Sequence, residues 1–168
     1  MDAASAAISR DKPASIDGLL DLARADMTKV DALIRDRMQS PVSVIPALAE
    51  HLIGGSAKRL RPLLTIAAAR VAGAEDDACL KLAAAVEFIH TATLLHDDVV
   101  DESDMRRGKA TANAAFGNAA SVLVGDFLYS RAFQLMVKVD SMAVMKVLSN
   151  ATNQIAEGEV EQLLNLHD

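Results

Sequence analysis

Apolar residues recur every three or four positions along most of this chain, and this spacing constrains the fold more than any other feature. In residues 16–38 they form one stripe on a helix: Leu19, Leu20, Ala23, Met27, Val30, Leu33, Ile34 and Met38. Runs of alternating apolar and polar residues bounded by turns, which would predict strands, do not occur. The sequence therefore predicts an all-α fold.

The same spacing predicts further helices. They cover about 47–53, from Pro62 to a stop at Gly73, 80–101 after a start at Asp76-Asp77, 119–139 and 142–165. Residues 102–117 combine charged and small residues, which predicts a connection or a short helix. The first 14 residues lack periodicity and are expected to be a flexible lead-in, with a helix cap at Ser15. We therefore expect one domain over residues 15–168.

Composition narrows the possible function classes. The formal charge of −6 argues against general nucleic-acid binding, which needs a broad basic surface. The apolar fraction of 51% with only 3% aromatic residues favours closely packed helices. The single Cys79 predicts a buried thiol in a reducing compartment, with the cytoplasm as the expected location. No uninterrupted apolar run reaches about 18 residues and no signal-peptide core is present, so no membrane-spanning segment is expected.

The acidic run from His96 to Asp101 is the sharpest local signal. Asp97 and Asp101 lie four residues apart, one turn from each other on one helix face, where two carboxylates repel unless a cation lies between them. Mg²⁺ favours a few carboxylate oxygens together with substrate phosphates. A solvated acidic helix end is the alternative, but the apolar residues 88–95 place these acids on a buried helix, where unpaired charge is costly. The run thus favours a metal site, with Asp98 in a supporting role.

Three cations follow the acidic run, at Arg106, Arg107 and Lys109. They could pair with the acids at the surface, which would contribute only about 0–1 kcal/mol. Arginine also forks onto phosphate oxygens, so adjacent arginines beside a metal site suit a diphosphate ligand.

A second basic cluster covers residues 54–62, where a glycine turn leads into a helix start. Glycine permits a close approach to an anion, and a helix N-terminus favours phosphate, although an ordinary basic turn is an equal alternative. His90 lies two turns before Asp97 on the same face, either as a core histidine or as a donor to a second anion.

Together these stretches resemble the trans-isoprenyl diphosphate synthases, most closely the octaprenyl-type polyprenyl synthases that make quinone side chains. The matching stretches are GGSAKRLRP, FIHTATLLHDDVVDESDMRRGKATAN, FGNAASVLVGDFLYSRAF and AEGEVEQL. The second of them is far more specific than a lone DDxxD.

The resemblance implies an antiparallel helical bundle of the isoprenoid synthase type, around a deep apolar cavity with the acidic motif at its mouth. It also implies a prenyltransferase that lengthens an allylic diphosphate with isopentenyl diphosphate, and a homodimer. The implied metal ligands for Mg²⁺ are Asp97 and Asp101, supported by Asp98. Arg106 matches the arginine that binds the allylic diphosphate. The positions matching the isopentenyl diphosphate site are Lys58, Arg61, His90 and Arg107, and Gln162 matches a polar residue facing the active site.

Product length is implied by the residues one turn before the acidic motif. Related short-chain synthases carry bulky aromatic residues there, whereas this chain has Ala92 and Thr93. A long all-trans product is therefore expected, with Phe133 or Met136 as a candidate stop.

Two departures from the family pattern leave other readings open. Ser56-Ala57 stands where many relatives have a further glycine, and residues 102–168 contain no second aspartate-rich motif. We therefore expect a truncated chain that is inactive by itself. A non-catalytic diphosphate-binding or assembly subunit is the second interpretation. A terpene cyclase is the third, disfavoured by Lys58, Arg61 and His90.

Overall fold

The computed structural model describes residues 16–53 and 59–165 of the chain. These residues form an antiparallel bundle of α-helices and one small β-hairpin. The helices are α1 (Asp17–Arg37), α2 (Val44–Ile53), α3 (Leu60–Val71), α4 (Ala78–Val100), α5 (Ala112–Phe116), α6 (Asn118–Val137) and α7 (Met142–Asn165), and the strands are β1 (Met105–Arg106) and β2 (Lys109–Ala110). The predicted all-α class is confirmed. The expected lead-in, the Ser15 cap, the glycine turn and Lys58 lie outside the described residues.

Helix α4 is the centre of the bundle and packs against α6, α3 and α1. Its alanines Ala83, Ala84, Ala85 and Ala92 have no exposed surface, and Phe88 is almost fully buried. Side chains this small let neighbouring helices approach closely, and an apolar surface on all sides is what a central helix requires. The expectation of closely packed helices with aliphatic cores is confirmed, and Cys79 is a buried thiol.

Two predictions concern helix α4: the position of its start, and the lack of a membrane-spanning segment. The helix starts where Asp76-Asp77 predicted, with the Ala78 N–H donating to Asp76 Oδ1 at 3.1 Å. By length and composition α4 would also pass as a membrane-spanning helix, although more than half of its apolar window is buried inside the bundle. A core helix passes the same test, so the expected lack of a membrane-spanning segment stays a prediction.

Residues 102–117 contain a hairpin that the sequence reading did not anticipate, followed by the short helix that it allowed for. Met105 pairs with Ala110 and Arg106 with Lys109, which leaves a two-residue loop of Arg107 and Gly108. Both loop residues have positive φ, 51° and 79°, as in a type I′ turn. Two-residue strands are too short to show alternation, which is why the pattern gave no strand signal.

Helix α7 has no buried residue. Met145 and Leu148 pack partly against the core. Several larger apolar side chains on this helix are exposed, among them Met142, Val147 and Leu164. The helix is therefore held to the bundle along one narrow side only.

Candidate active site

Asp98 and Arg106 form the best-defined ion pair of the site. Arg106 donates to Asp98 Oδ1 through Nε at 2.9 Å and through Nη2 at 2.7 Å. Only 4% of Asp98 is exposed. A buried carboxylate needs such a partner, because an isolated charge away from water is costly. Asp98 thus holds the arginine of the hairpin against α4. Its predicted supporting role at a metal site stays a prediction.

Further bonds fix the hairpin to the end of α4. Asn113 Nδ2 donates to the carbonyl oxygens of Asp98 at 3.2 Å and Ser103 at 3.1 Å. Thr111 Oγ1 donates to the Ser103 carbonyl at 2.7 Å and also accepts from the Ala114 N–H at 3.4 Å, which caps α5. Because Ser103 precedes the hairpin and Thr111 follows it, these contacts hold the two ends of the hairpin together.

The two carboxylates predicted to bind metal end α4. Asp97 lies in its last turn and Asp101 is its C-cap. Burial raises the pKa of the Asp97 carboxyl, the charge of Asp101 raises it further, and Arg106 opposes the shift. Two repelling carboxylates in a partly desolvated position suit a hard divalent cation, which would relieve their repulsion.

Within the described ranges, no group of three or more His, Cys, Asp and Glu side chains is arranged to hold a metal ion. Within these ranges, the site therefore offers a cation the two carboxylates of Asp97 and Asp101. This is a usual arrangement for Mg²⁺, which keeps several waters and binds through one or two carboxylates plus substrate phosphates. The donor set fits such an ion.

A third carboxylate, Glu159 of α7, interacts electrostatically with Asp97. Burial raises the pKa of Glu159, and the charge of Asp97 raises it further. The sequence reading missed Glu159, because nothing in the local pattern of α7 says that it faces α4. The predicted polar residue of the same helix, Gln162, is exposed.

His96 was also missed as a structural element of the site. Its Nε2 lies 3.2 Å from the Val122 carbonyl oxygen and 3.5 Å from Asp126 Oδ1, both on α6. The ring lies over Gly125, where an added Cβ would be only 2.3 Å from Nε2. The residue next to Asp97 is therefore wedged into the interface between α4 and α6. The sequence signal for this contact was Gly125-Asp126, a glycine followed by an acidic residue in the middle of a predicted helix.

A cavity of about 380 Å³ brings four of the predicted residues together. His90, Asp98, Arg106 and Arg107 all line it, between α1, α2, α4 and the hairpin. Three of these four side chains can donate to an anion. The cavity therefore has the charge and the donors that a diphosphate requires.

Positive charge surrounds His90. Burial lowers the pKa of its imidazole, and Arg61, Arg106 and Arg107 lower it further, while Glu87 opposes them. Neighbouring cations disfavour a protonated ring. Arg106 and Arg107 of the hairpin line the same cavity as His90, and the direction of the shift fits that arrangement.

A second cavity of about 320 Å³ lies on the other side of His90, between α3, α4 and α7. Arg61 and His90 lie on its wall with Thr93, and aliphatic side chains such as Ile89 and Ile155 complete it. Ala92 is fully buried. Of the two positions expected to govern product length, Thr93 thus borders open space. Of the two candidate stops, Met136 is buried and Phe133 is partly exposed.

Arg59 is the other functional candidate that the sequence reading passed over. It lines the larger cavity together with Glu87, and the two side chains form an ion pair at 2.9 Å. The basic cluster was visible in the sequence. The sequence did not show that Arg59 turns inward, since its two partners are each 28 residues away.

Comparison with known proteins finds a matching family and similar proteins. Residues 42–168 match the family model for polyprenyl synthetase. Octaprenyl diphosphate synthase of Escherichia coli is 56% identical over 154 residues, which cover 92% of this chain and 48% of that protein. The chain spans about half the length of the curated relatives it matches.

Two solved structures share the fold. A polyprenyl synthase from Caulobacter crescentus, complexed with calcium and isoprenyl diphosphate, superposes with a TM-score of 0.89 at 63% identity, covering 94% of this chain and 48% of that one. A decaprenyl diphosphate synthase from Rhodobacter capsulatus gives a TM-score of 0.85 at 54% identity, covering 89% and 46%.

Proposed function

This chain belongs to the polyprenyl synthetase family, and from that premise we propose that it acts as a prenyltransferase making long-chain all-trans polyprenyl diphosphates. Its substrates are an allylic prenyl diphosphate and isopentenyl diphosphate. The observation that carries the proposal is the convergence of His90, Arg106 and Arg107 on one cavity that reaches Asp98. Asp97 and Asp101 do not line this cavity and lie at the same end of α4.

Each side chain has a definite task in this proposal. Asp97 and Asp101 hold Mg²⁺, which when bound offsets the negative charge that develops on the departing diphosphate. A relative of known structure, the Caulobacter crescentus polyprenyl synthase, is complexed with calcium and isoprenyl diphosphate, which supports a divalent cation and a diphosphate at this kind of site. Arg106, held by Asp98, binds the same allylic diphosphate through the edge of its guanidinium that the carboxylate does not use.

A different set of side chains holds the second substrate. Lys58, Arg61, His90 and Arg107 bind isopentenyl diphosphate in this proposal, which is supported by the cavities that His90 shares with Arg107 and with Arg61. The alkene of isopentenyl diphosphate attacks the allylic carbon as the first diphosphate leaves. A proton is then lost to the released diphosphate, and the chain is five carbons longer. The apolar walls beside Thr93 exclude water, which would otherwise capture the cation.

Several finer assignments complete the proposal. Ala92 and Thr93 leave room for a long product, and the octaprenyl and decaprenyl relatives support a chain of that class. Gln162 faces the substrate, and the product supplies a quinone side chain. The protein is a cytoplasmic homodimer. Sedimentation velocity measures the oligomeric state directly.

A non-catalytic diphosphate-binding or assembly subunit is the second candidate. The observation that fits it is the cavity lined by His90, Arg106 and Arg107, whose donors suit a diphosphate whether or not a reaction follows. In that case residues 1–168 bind a diphosphate without lengthening it.

The test uses the protein encoded by the complete reading frame. Farnesyl diphosphate and labelled isopentenyl diphosphate are supplied with Mg²⁺, and labelled products are separated by chain length. The expected result is elongation, with Asp97→Asn and Asp101→Asn each lowering kcat by about 10²-fold or more while helicity is retained. Asp36→Asn, at an exposed carboxylate on α1, is the control and retains full activity.

The same assay on the complete protein separates the two candidates. There, calorimetric binding of farnesyl diphosphate with Mg²⁺ but without elongation favours the binding subunit, whereas residues 1–168 are expected to be inactive under either candidate. If the complete protein gives no elongated product with any allylic starter, the proposed activity is wrong.

A further inference from the structure

Arg59 joins three helices at the edge of the larger cavity. Its Nε donates to Asp31 Oδ1 of α1 at 3.1 Å, and its Nη1 donates to Glu87 Oε1 of α4 at 2.9 Å. Its own carbonyl oxygen accepts from the Leu63 N–H at 3.0 Å, which starts α3. One residue thus fixes the first turn of α3 relative to α1 and α4.

Burial makes this contact different from an ordinary surface ion pair. The side chains of Arg59 and Glu87 are 13% and 10% exposed, whereas Asp31 is 45% exposed. Water therefore screens the bond to Asp31 but not the bond to Glu87. The Arg59–Glu87 pair is the part of the cluster whose loss would leave a charge without compensation.

The backbone of Arg59 is strained as well. It lies in the left-handed region at φ 45° and ψ 40°, which residues other than glycine seldom adopt. Such a conformation persists only where surrounding contacts hold it, and the two carboxylates are the contacts that the structure provides. Backbone strain of this kind beside a functional site is typical of a residue that fixes the positions of neighbouring groups.

The position of the Arg59–Glu87 pair shows which neighbouring groups it would hold in place. Arg59 and Glu87 line the cavity that His90 and Arg107 share. Glu87 lies one helical turn before His90, and Arg61 lies in the first turn of α3 immediately after Arg59. Because two carboxylates already engage the guanidinium of Arg59, its charge is balanced within the protein. The groups available to bind an anion are therefore Arg61 and His90, which the pair holds in place.

We propose that Arg59, through its buried ion pair with Glu87, is a positioning residue of the isopentenyl diphosphate site. It holds the first turn of α3 against α4, so that Arg61 and His90 address the same anion. The inference rests on the proposed function and deepens it, because it assigns a residue that neither the motif nor the cavity chemistry identified.

The experiment is a cycle of variants in the protein from the complete reading frame. Arg59→Leu, Glu87→Leu and the double variant are compared with the wild type in thermal unfolding and in steady-state elongation. Asp31→Asn is the matched control, since it removes only the charge of the exposed partner and keeps an amide oxygen that can accept from Arg59, as well as the buried pair. It should leave both readouts close to the wild type.

The cycle separates positioning from stability. Each single variant should lower Tm, because it leaves a buried charge unpaired, and the double variant should regain most of the loss. The KM for isopentenyl diphosphate should rise about tenfold in both single variants and stay raised in the double variant, as with other residues that orient ligand-binding groups. The KM for the allylic diphosphate should stay within about twofold of the wild type, because Arg106 is held separately by Asp98.

Several outcomes overturn the inference. The first is an unchanged KM for isopentenyl diphosphate in Arg59→Leu. The second is a double variant in which both Tm and the KM for isopentenyl diphosphate return to the wild-type values. The third is an equal rise in the KM values for isopentenyl diphosphate and for the allylic diphosphate in the single variants. A wild type that does not elongate refutes the proposed function instead. In that case calorimetry with isopentenyl diphosphate replaces kinetics, and either no binding or equal Kd values for wild type and Arg59→Leu overturn the inference separately.

Discussion

Gly125 of α6 faces the His96 ring of α4, and an alanine there has no room for its methyl group. The added carbon would lie 2.3 Å from His96 Nε2 and 2.7 Å from Cδ2, whereas ordinary contacts are 3.4–4 Å. The ring must therefore move by about 1 Å or more, since repulsion rises steeply inside contact distance. That movement breaks its 3.2 Å contact with the Val122 carbonyl oxygen.

The expected cost of Gly125→Ala follows from three contributions. Overpacking costs about 1–3 kcal/mol. The lost hydrogen bond costs about 0.5–1.5 kcal/mol. Replacing a helical glycine by alanine returns about 1 kcal/mol. The free energy of unfolding should fall by about 0.5–3.5 kcal/mol, which for a chain of this size lowers Tm by about 1–14 °C.

Gly158 on α7 provides a matched control, because an added Cβ there meets nothing within 4 Å. Gly158→Ala should therefore raise the free energy of unfolding by about 0.5–1 kcal/mol through helix propensity alone. Both variants are compared with the wild type by thermal and urea unfolding, followed by far-ultraviolet circular dichroism. If Gly125→Ala stabilises the protein as Gly158→Ala does, the packing of His96 over Gly125 is refuted.

Three further predictions concern the hairpin and the larger cavity. Asp98→Ala should lower the free energy of unfolding by about 1.5–3 kcal/mol, because Arg106 loses its charge-assisted bonds, and an unchanged urea midpoint would contradict this. Thr111→Ala removes the side-chain acceptor of the Ala114 N–H at the start of α5 and should cost about 0.5–2 kcal/mol, whereas Thr111→Ser should be nearly neutral in the same unfolding assay. Because the pKa of His90 is lowered from its ordinary value of 6.5, the unfolded chain binds the extra proton below that pH, so stability should fall as pH decreases through 6.5. His90→Gln should flatten this part of the stability profile, and an identical profile would show that another group causes it.

Much of the fold could be predicted because helix formation leaves a local trace. The predicted helix end at Gly73 and the predicted helix start at Asp76-Asp77 agree with the structure, since caps and glycines act within one turn of the chain. The hairpin was missed, because two-residue strands show no periodicity and only the turn residues Arg107 and Gly108 mark it.

The candidate site divides in the same way. Asp97 and Asp101 could be recognised because their spacing alone puts them on one helix face. Glu159 could not, because its proximity to Asp97 depends on how α7 lies beside α4. The role of Arg59 was equally hidden, since its charge was visible in the sequence and its burial was not.

The sequence by itself determined the helical class, the small-residue core and the acidic and basic motifs, because each depends on residue types a few positions apart. Only the tertiary structure decided which charges pair inside the protein and which remain for a ligand. Asp98 takes Arg106, and Glu87 takes Arg59. The physical reason is that the strength of an ion pair depends on distance and desolvation, and helix packing sets both for residues far apart in the chain.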